Sequence, residues 1–129
     1  MLHHLSFGVS DIQMAAVFYD AVLQPLGFVR VWEDLTPGNP DHAVGYGQAG
    51  GGDKFTLKQR DAAHAPGAGF HLAFSAPSRQ AVVDFHEAGL SHGGRDNGKP
   101  GLRPDYGSSY FAAFLIDPNG YAIEAVHKG

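Results

Sequence analysis

Two histidines and one glutamate carry the strongest chemical signal in this sequence. His4 and His71 stand 67 positions apart, and Glu124 interrupts the short apolar strand that follows the tight turn in "DPNGYAIEAV". Two neutral imidazoles and one carboxylate form a facial ligand set for a divalent metal, leaving positions open for water or for a substrate's oxygens. Such a set accepts Zn, Ni, Mn, Fe or Co and does not distinguish among them. Taken singly, a histidine on a strand or a glutamate in a terminal strand is more often an ordinary surface residue. What singles these three out is an internal repeat, together with the need of a buried carboxylate for a positive partner or a metal.

The repeat appears at an offset of 67 residues. "HLSFGVSDIQMAAVFYDAVL" begins at His4 and "HLAFSAPSRQAVVDFHEAGL" begins at His71; without a gap they agree at seven of twenty positions. Each copy opens with period-two alternation, which puts His4, Ser6 and Gly8 on one face of a strand and Leu5, Phe7 and Val9 on the other. His71, Ala73 and Ser75 repeat that register against Leu72, Phe74 and Ala76. A helix follows in each copy. The first is expected to start at a capping box of Ser10 with Gln13 and to carry Ala15, Phe18, Val22 and Leu26 on one face. Pro77 is expected to open the second, which carries Val82, Phe85 and Leu90 and stops near Gly93 and Gly94.

Three strands are expected after each helix: about 27–34, 42–48 and 53–60, then 94–102, 109–116 and 120–127. Asp117-Pro118-Asn119-Gly120 joins the last two as a tight turn, in which proline sets the first central residue and glycine supplies positive φ. The order βαβββ therefore occurs twice. The expected fold is α+β, one domain of two modules, about 1–62 and 67–129. Their strands would form an eight-stranded, partly open, barrel-like sheet around a cavity, with the helices outside. In that arrangement Glu124, alternating with Ala122 and Val126 against Tyr121, Ile123 and Ala125, faces inward with the two histidines.

Composition narrows the function classes. At 129 residues, 43% hydrophobic and 17% charged, the chain fits a single globular domain. A net charge of −4 with no basic cluster argues against nucleic acid and against an anionic membrane surface. With no cysteine there is no disulfide framework, no thiolate nucleophile and no cysteine-ligated metal. "MLHHLSFGVS" lacks the pattern of a signal peptide, and the longest apolar run, "YFAAFLI", is too short to span a bilayer. A cytoplasmic location is expected.

Three motif matches fail on context. "GYGQAG" fits G-x-G-x-x-G, but no helix N-terminus follows to hold a pyrophosphate. "GGRDNGKP" resembles a phosphate loop, yet Pro100 stands where the metal-binding Ser or Thr belongs. "GLSHG" fits a nucleophile elbow, but Ser91 falls at a helix end and not on a strand-to-helix turn.

The segments "HLSFGVSD", "FYDAVLQPLGF", "GFHLAFSAPS" and above all "FLIDPNGYAIEAV", with its D-P-x-G-x-x-x-E form, resemble the vicinal oxygen chelate superfamily. That group is also called the glyoxalase, bleomycin resistance and dioxygenase superfamily. The resemblance spans essentially the whole chain and implies paired βαβββ modules, with metal ligands at His4, His71 and Glu124. It implies a metal-dependent enzyme, of lyase, dioxygenase or transferase type, that acts on a small substrate with adjacent oxygens. Its chemistry would be a metal-stabilised enediolate or oxyanion, with Glu124 as the candidate base in any proton transfer. Glyoxalase I enzymes of this pattern use a fourth ligand on the last strand of the first module; "KFTLKQR" offers only Thr56 there, so the ligand count matches three-ligand members better. The resemblance also implies a homodimer, with the cavity built within one chain or across two. Trp32, Tyr46, Arg103, Tyr106 and Tyr110 are the candidate substrate-binding residues, Arg103 for an anionic group. The alternative function is metal-free binding and sequestration of a small molecule, as in bleomycin resistance proteins.

Overall fold

Alternation at the head of each repeat decides which face of the first strand is buried. A computed structural model describes residues 1–129. Its elements in chain order are β1 (Leu5–Val9), α1 (Ile12–Leu23), β2 (Val29–Asp34), β3 (Ala43–Gly47), β4 (Phe55–Gln59), β5 (Leu72–Ser75), α2 (Arg79–Ser91), β6 (Arg95–Leu102), β7 (Tyr110–Ile116) and β8 (Ala122–Lys128). In β1, Phe7 and Val9 are buried in the core while Ser6 and Gly8 take the opposite face. No helix is long and apolar enough to cross a membrane.

Both helix starts differ from expectation by one or two residues. The cap of α1 is Asp11, whose carboxylate accepts the Met14 amide at 3.1 Å, and not Ser10. A carboxylate at this position both satisfies an orphan amide and complements the positive end of the helix dipole. Gln59, at the end of β4, accepts the next free amide, that of Ile12, at 3.0 Å. The helix gives way to a 3-10 turn at Gln24–Leu26, because Pro25 has no amide to continue the ladder. Leu26 remains buried although it lies outside the α-helix proper. For α2, Ser78 and not Pro77 opens the helix: its hydroxyl accepts the Ala81 amide at 3.0 Å, and Pro77 precedes the cap.

The eight strands make two four-stranded sheets of identical order, β1-β4-β3-β2 and β5-β8-β7-β6, and no closed barrel. In each, the first strand pairs in parallel with the last, and the remaining pairs are antiparallel. No hydrogen-bonded strand pair joins one sheet to the other. The modules meet instead through their covered faces, where α1 packs on α2 and one cluster of 23 buried residues draws on both halves. The Phe7 and Tyr121 rings stack at 3.9 Å, Phe55 meets Phe74 edge-on at 5.3 Å, and the Tyr121 hydroxyl donates to the Gly8 carbonyl at 2.7 Å. Each sheet thus spends one face on the shared core and keeps the other free for a site.

Gly89 shows how tightly α2 sits on its sheet. A Cβ there would stand 2.3 Å from Leu115 Cδ1 of β7, far inside van der Waals contact. The "GLSHG" sequence is therefore a close-packing glycine followed by a helix stop.

Candidate active site

The turn before β8 fixes the register on which the site depends. Asp117 is buried, and one carboxylate oxygen accepts the amides of Asn119 and Tyr121 at 2.8 and 2.9 Å. Its other oxygen accepts the hydroxyl of Tyr19 from α1, a link between the modules. Burial pushes the Asp117 carboxyl up from its ordinary pKa, against the opposing pull of these hydrogen bonds. Gly120 takes φ 94° and donates to the Asp117 carbonyl, which closes the turn. The strand that leaves it then sends Ile123 and Ala125 into the core and Glu124 to the opposite face.

Glu124 is 1% exposed, and both of its oxygens are engaged. Oε1 lies 3.2 Å from Nε2 of His71, whose side chain is 55% exposed, so the pair opens outward through the imidazole. Oε2 accepts a 2.6 Å hydrogen bond from the Tyr110 hydroxyl. Burial, followed by the hydrogen bond and charge of Glu124, pushes the Tyr110 phenol up to about 12. The Tyr106 ring meets that of Tyr110 edge-on at 5.3 Å. On the same face the register places Phe114 directly opposite Glu124, and the Arg103 guanidinium lies over the Phe114 ring at 5.3 Å. Five of the residues singled out from sequence, His71, Glu124, Tyr110, Tyr106 and Arg103, are therefore linked through contacts on one face of the second sheet.

The other three lie in the first module. His4 precedes β1, and its Nδ1 is 2.8 Å from Nδ1 of His3. Within one chain no three His, Asp or Glu side chains gather closely enough to hold an ion, so His4 does not join His71 and Glu124 there. Trp32, 49% exposed, is on β2 at the sheet edge. Tyr46 is turned into the core: its hydroxyl donates to Asp20 Oδ1 at 2.8 Å, with the Ala16 carbonyl 3.2 Å away, both on α1. Its ring also borders a cavity of about 440 Å³ lined by His4, Lys54, Phe55, Phe74 and Ser75.

The registers make Thr56 the counterpart of Glu124. Ser6 pairs with Thr56 as Ala73 pairs with Glu124, and Leu5 with Phe55 as Leu72 with Ile123. The Thr56 hydroxyl donates to Asp53 Oδ2 at 2.8 Å.

The donor geometry can be tested against a metal. Ligands bound at about 2.0–2.2 Å and separated by roughly 90–110° lie about 2.8–3.6 Å apart. The Glu124–His71 separation of 3.2 Å falls in that interval. An N,O pair at this spacing fits two ligands of a divalent ion, and no third His, Asp or Glu stands beside them within the chain.

A sequence model described as the Glyoxalase/Bleomycin resistance protein/Dioxygenase superfamily matches residues 1–125. The chain belongs to this superfamily. Among solved structures, a glyoxalase/bleomycin resistance protein from Albidiferax ferrireducens T118 is 30% identical with a TM-score of 0.81, covering 100% of this chain and 99% of that one. Glyoxalase I from Zea mays, in its V278E form, is 21% identical with a TM-score of 0.67, over 97% of this chain and 43% of that one. FosX, a genomically encoded fosfomycin resistance protein from Listeria monocytogenes, shares the fold at 14% identity, with a TM-score of 0.70 over 100% and 93% of the two chains. No match was found among curated protein sequences. Glyoxalase-superfamily members include metal-dependent enzymes, and they share the two-sheet α+β architecture described above.

Sequence reasoning missed the Tyr19–Asp117 link, although Asp117 stood in the D-P-x-G motif. It also missed Phe114, which nothing but sheet register places beside Glu124.

Proposed function

We propose that this glyoxalase-superfamily chain is a divalent-metal-dependent enzyme acting on a small substrate with adjacent oxygens. Its ligands are His71 and Glu124 of one copy and His4 of a second copy in a homodimer, in a cytoplasmic setting. The observation that carries this reading is the buried Glu124 carboxylate, held 3.2 Å from an exposed imidazole on the free face of its sheet. A carboxylate so withdrawn from water needs a cation or strong donors to offset its desolvation. Pairing across two copies is supported by the place of His4 just before the first strand of the other sheet and by two faces turned away from one shared core.

A bound divalent ion would supply Lewis acidity to two adjacent substrate oxygens. Three ligands leave positions for those oxygens, and Thr56 supplies no fourth. Tyr110, by donating to Oε2, turns Oε1 toward His71 and keeps the glutamate from swinging free. In a reaction that removes a proton from a substrate carbon beside those oxygens, Glu124 is the candidate base. The aromatic and aliphatic side chains on this face, Tyr106, Tyr110 and Phe114 among them, keep water from a small bound molecule.

The test is elemental analysis of protein purified without a histidine tag or chelator, beside His71→Ala and Glu124→Ala. The expected result is about one divalent ion per chain in the native protein and none in either variant. No metal as purified, and none taken up from Zn, Ni, Mn or Fe solutions, would leave a metal-free binding protein of the bleomycin resistance kind as the better reading.

A further inference from the structure

The strand beside the candidate active site is built around one cation. In "NGKPGLR", a Cβ at Gly98 would stand 2.8 Å from Cδ2 of Phe114, and a Cβ at Gly101 would stand 3.1 Å from Nη1 of Arg103. Both glycines clear space: one for the Phe114 ring, the other for the guanidinium that lies on it. The register of β6 against β7 also shifts at Gly98 and again before Gly101, so this segment departs from regular pairing where it cradles the pair.

Three contacts hold the guanidinium still. It stacks over Phe114 at 5.3 Å, Nη2 donates to the Lys99 carbonyl at 2.6 Å, and Nη1 donates to the Leu102 carbonyl at 3.4 Å. Arg103 is half-buried, yet none of the chain's ion pairs includes it. A guanidinium has five N–H donors, and the two carbonyls use two of them. The remaining three suffice for a bidentate carboxylate. A positioned cation without a counter-ion, next to a stacking ring, is a recognition point with its ordering cost already met by the fold.

Its surroundings define the rest of the ligand. Phe114 is the cross-strand partner of Glu124, and the neighbouring pairs on that face are Ala112 with Val126 and Ile116 with Ala122, all apolar. A molecule spanning from Glu124 to the guanidinium over Phe114 thus crosses an apolar floor and ends on a positive charge.

We propose that Arg103, laid on Phe114 beside Glu124, binds an anionic group of the substrate, so that the substrate class is a small carboxylate or comparable oxyanion with an apolar body and adjacent oxygens at its other end. The proposal rests on the reading of His71 and Glu124 as metal ligands for the adjacent oxygens; the anion subsite itself rests on Arg103, Phe114 and the two glycines.

Two probes separate the parts: catechol, with adjacent oxygens and no acid, and 3,4-dihydroxybenzoate, which adds a carboxylate across the ring. Calorimetric titration of zinc-loaded protein is expected to show the acid binding at least about tenfold tighter than catechol, as a charge-assisted bidentate contact requires. Arg103→Met should erase that preference while leaving catechol affinity and zinc content as in the native protein. Arg103→Lys, which keeps the charge without the planar fork, should retain part of it. Equal binding of the two probes by the native protein, or an undiminished preference in Arg103→Met, would overturn the proposal. A protein that takes up no zinc refutes the metal reading on that observation alone. The same pair of titrations on metal-free protein then decides Arg103 by the same ratio, and binding of neither probe overturns the anion subsite as well.

Discussion

The two modules share one strand order, one register between first and last strands and one helix placement, yet they hold different chemistry at the matching point. The second sets a buried glutamate between a histidine and a tyrosine; the first sets a threonine there, bonded to Asp53. Since Leu5–Phe55 and Leu72–Ile123 are equivalent pairs, the contrast lies in side chains and not in backbone position. Duplication gives the fold two equivalent seats. The chain fills both histidine seats but only one carboxylate seat, which suits a site assembled from unlike halves.

The largest effect is expected from making the seats alike. Thr56→Glu places a second carboxylate at a buried position beside Asp53, so metal-free protein should lose on the order of 3 kcal/mol of stability, the scale of an uncompensated buried charge. Added zinc should recover part of that loss and raise the melting temperature more than it does for the native chain. A thermal scan with and without zinc checks both; a variant indifferent to zinc contradicts the equivalence of the seats.

A second break targets the helices. Val22 of α1 and Gly89 of α2 occupy the same repeat position, but only the first has room for a side chain. Gly89→Val should cost about 1–3 kcal/mol by driving α2 off Leu115, less what the leucine relieves by changing rotamer. Urea unfolding reads this directly. Unchanged stability would mean that α2 rides higher on β7 than the 2.3 Å approach indicates.

The smallest effect is a shared pH response. Burial is the first cause that raises the phenols of Tyr19 and Tyr46 in the first module and of Tyr110 and Tyr121 in the second. The folded phenols hold their protons above the ordinary value of 10, so the unfolded chain binds fewer protons in that range and stability falls as pH rises. For Tyr110 the contribution is full below pH 10 and is lost by about pH 12. Melting temperature should therefore hold to near pH 10 and then decline, with tyrosinate absorbance appearing on unfolding. In a Tyr106→Phe background, which removes the one exposed tyrosine, tyrosinate that forms reversibly in folded protein near pH 10 would contradict the burial.

Much of the fold was legible because the repeat carries its own register. His4 and His71 mark equivalent strand starts, and Asp117 to Gly120 encode a turn whose geometry sets the phase of β8. Glu124 could be placed on the face opposite Ile123 from alternation alone. The separation of the strands into two sheets was not legible, because it depends on contacts between modules such as Phe7 with Tyr121 and Tyr19 with Asp117. The side on which Tyr46 lies was not legible for a local reason: Ala43, Gly45 and Gly47 are as small and buried as the core face of the same strand, so alternation does not show which side holds the tyrosine. Arg103 was noticed as a cation, but its seat on Phe114 follows from irregular pairing at Gly98 and Gly101 that no periodicity encodes.

The central claim, a site completed between two copies, is tested most directly by mixing two dead variants. His4→Ala and Glu124→Ala chains, each expected to bind no metal alone, are unfolded together, refolded and analysed for zinc. Random pairing makes half the dimers mixed, and each mixed dimer regains one intact site, or about one quarter of an ion per chain overall. Recovery at that level is the predicted result; zinc binding that stays at zero in the mixture, while the native protein binds one ion per chain after the same treatment, would contradict the account.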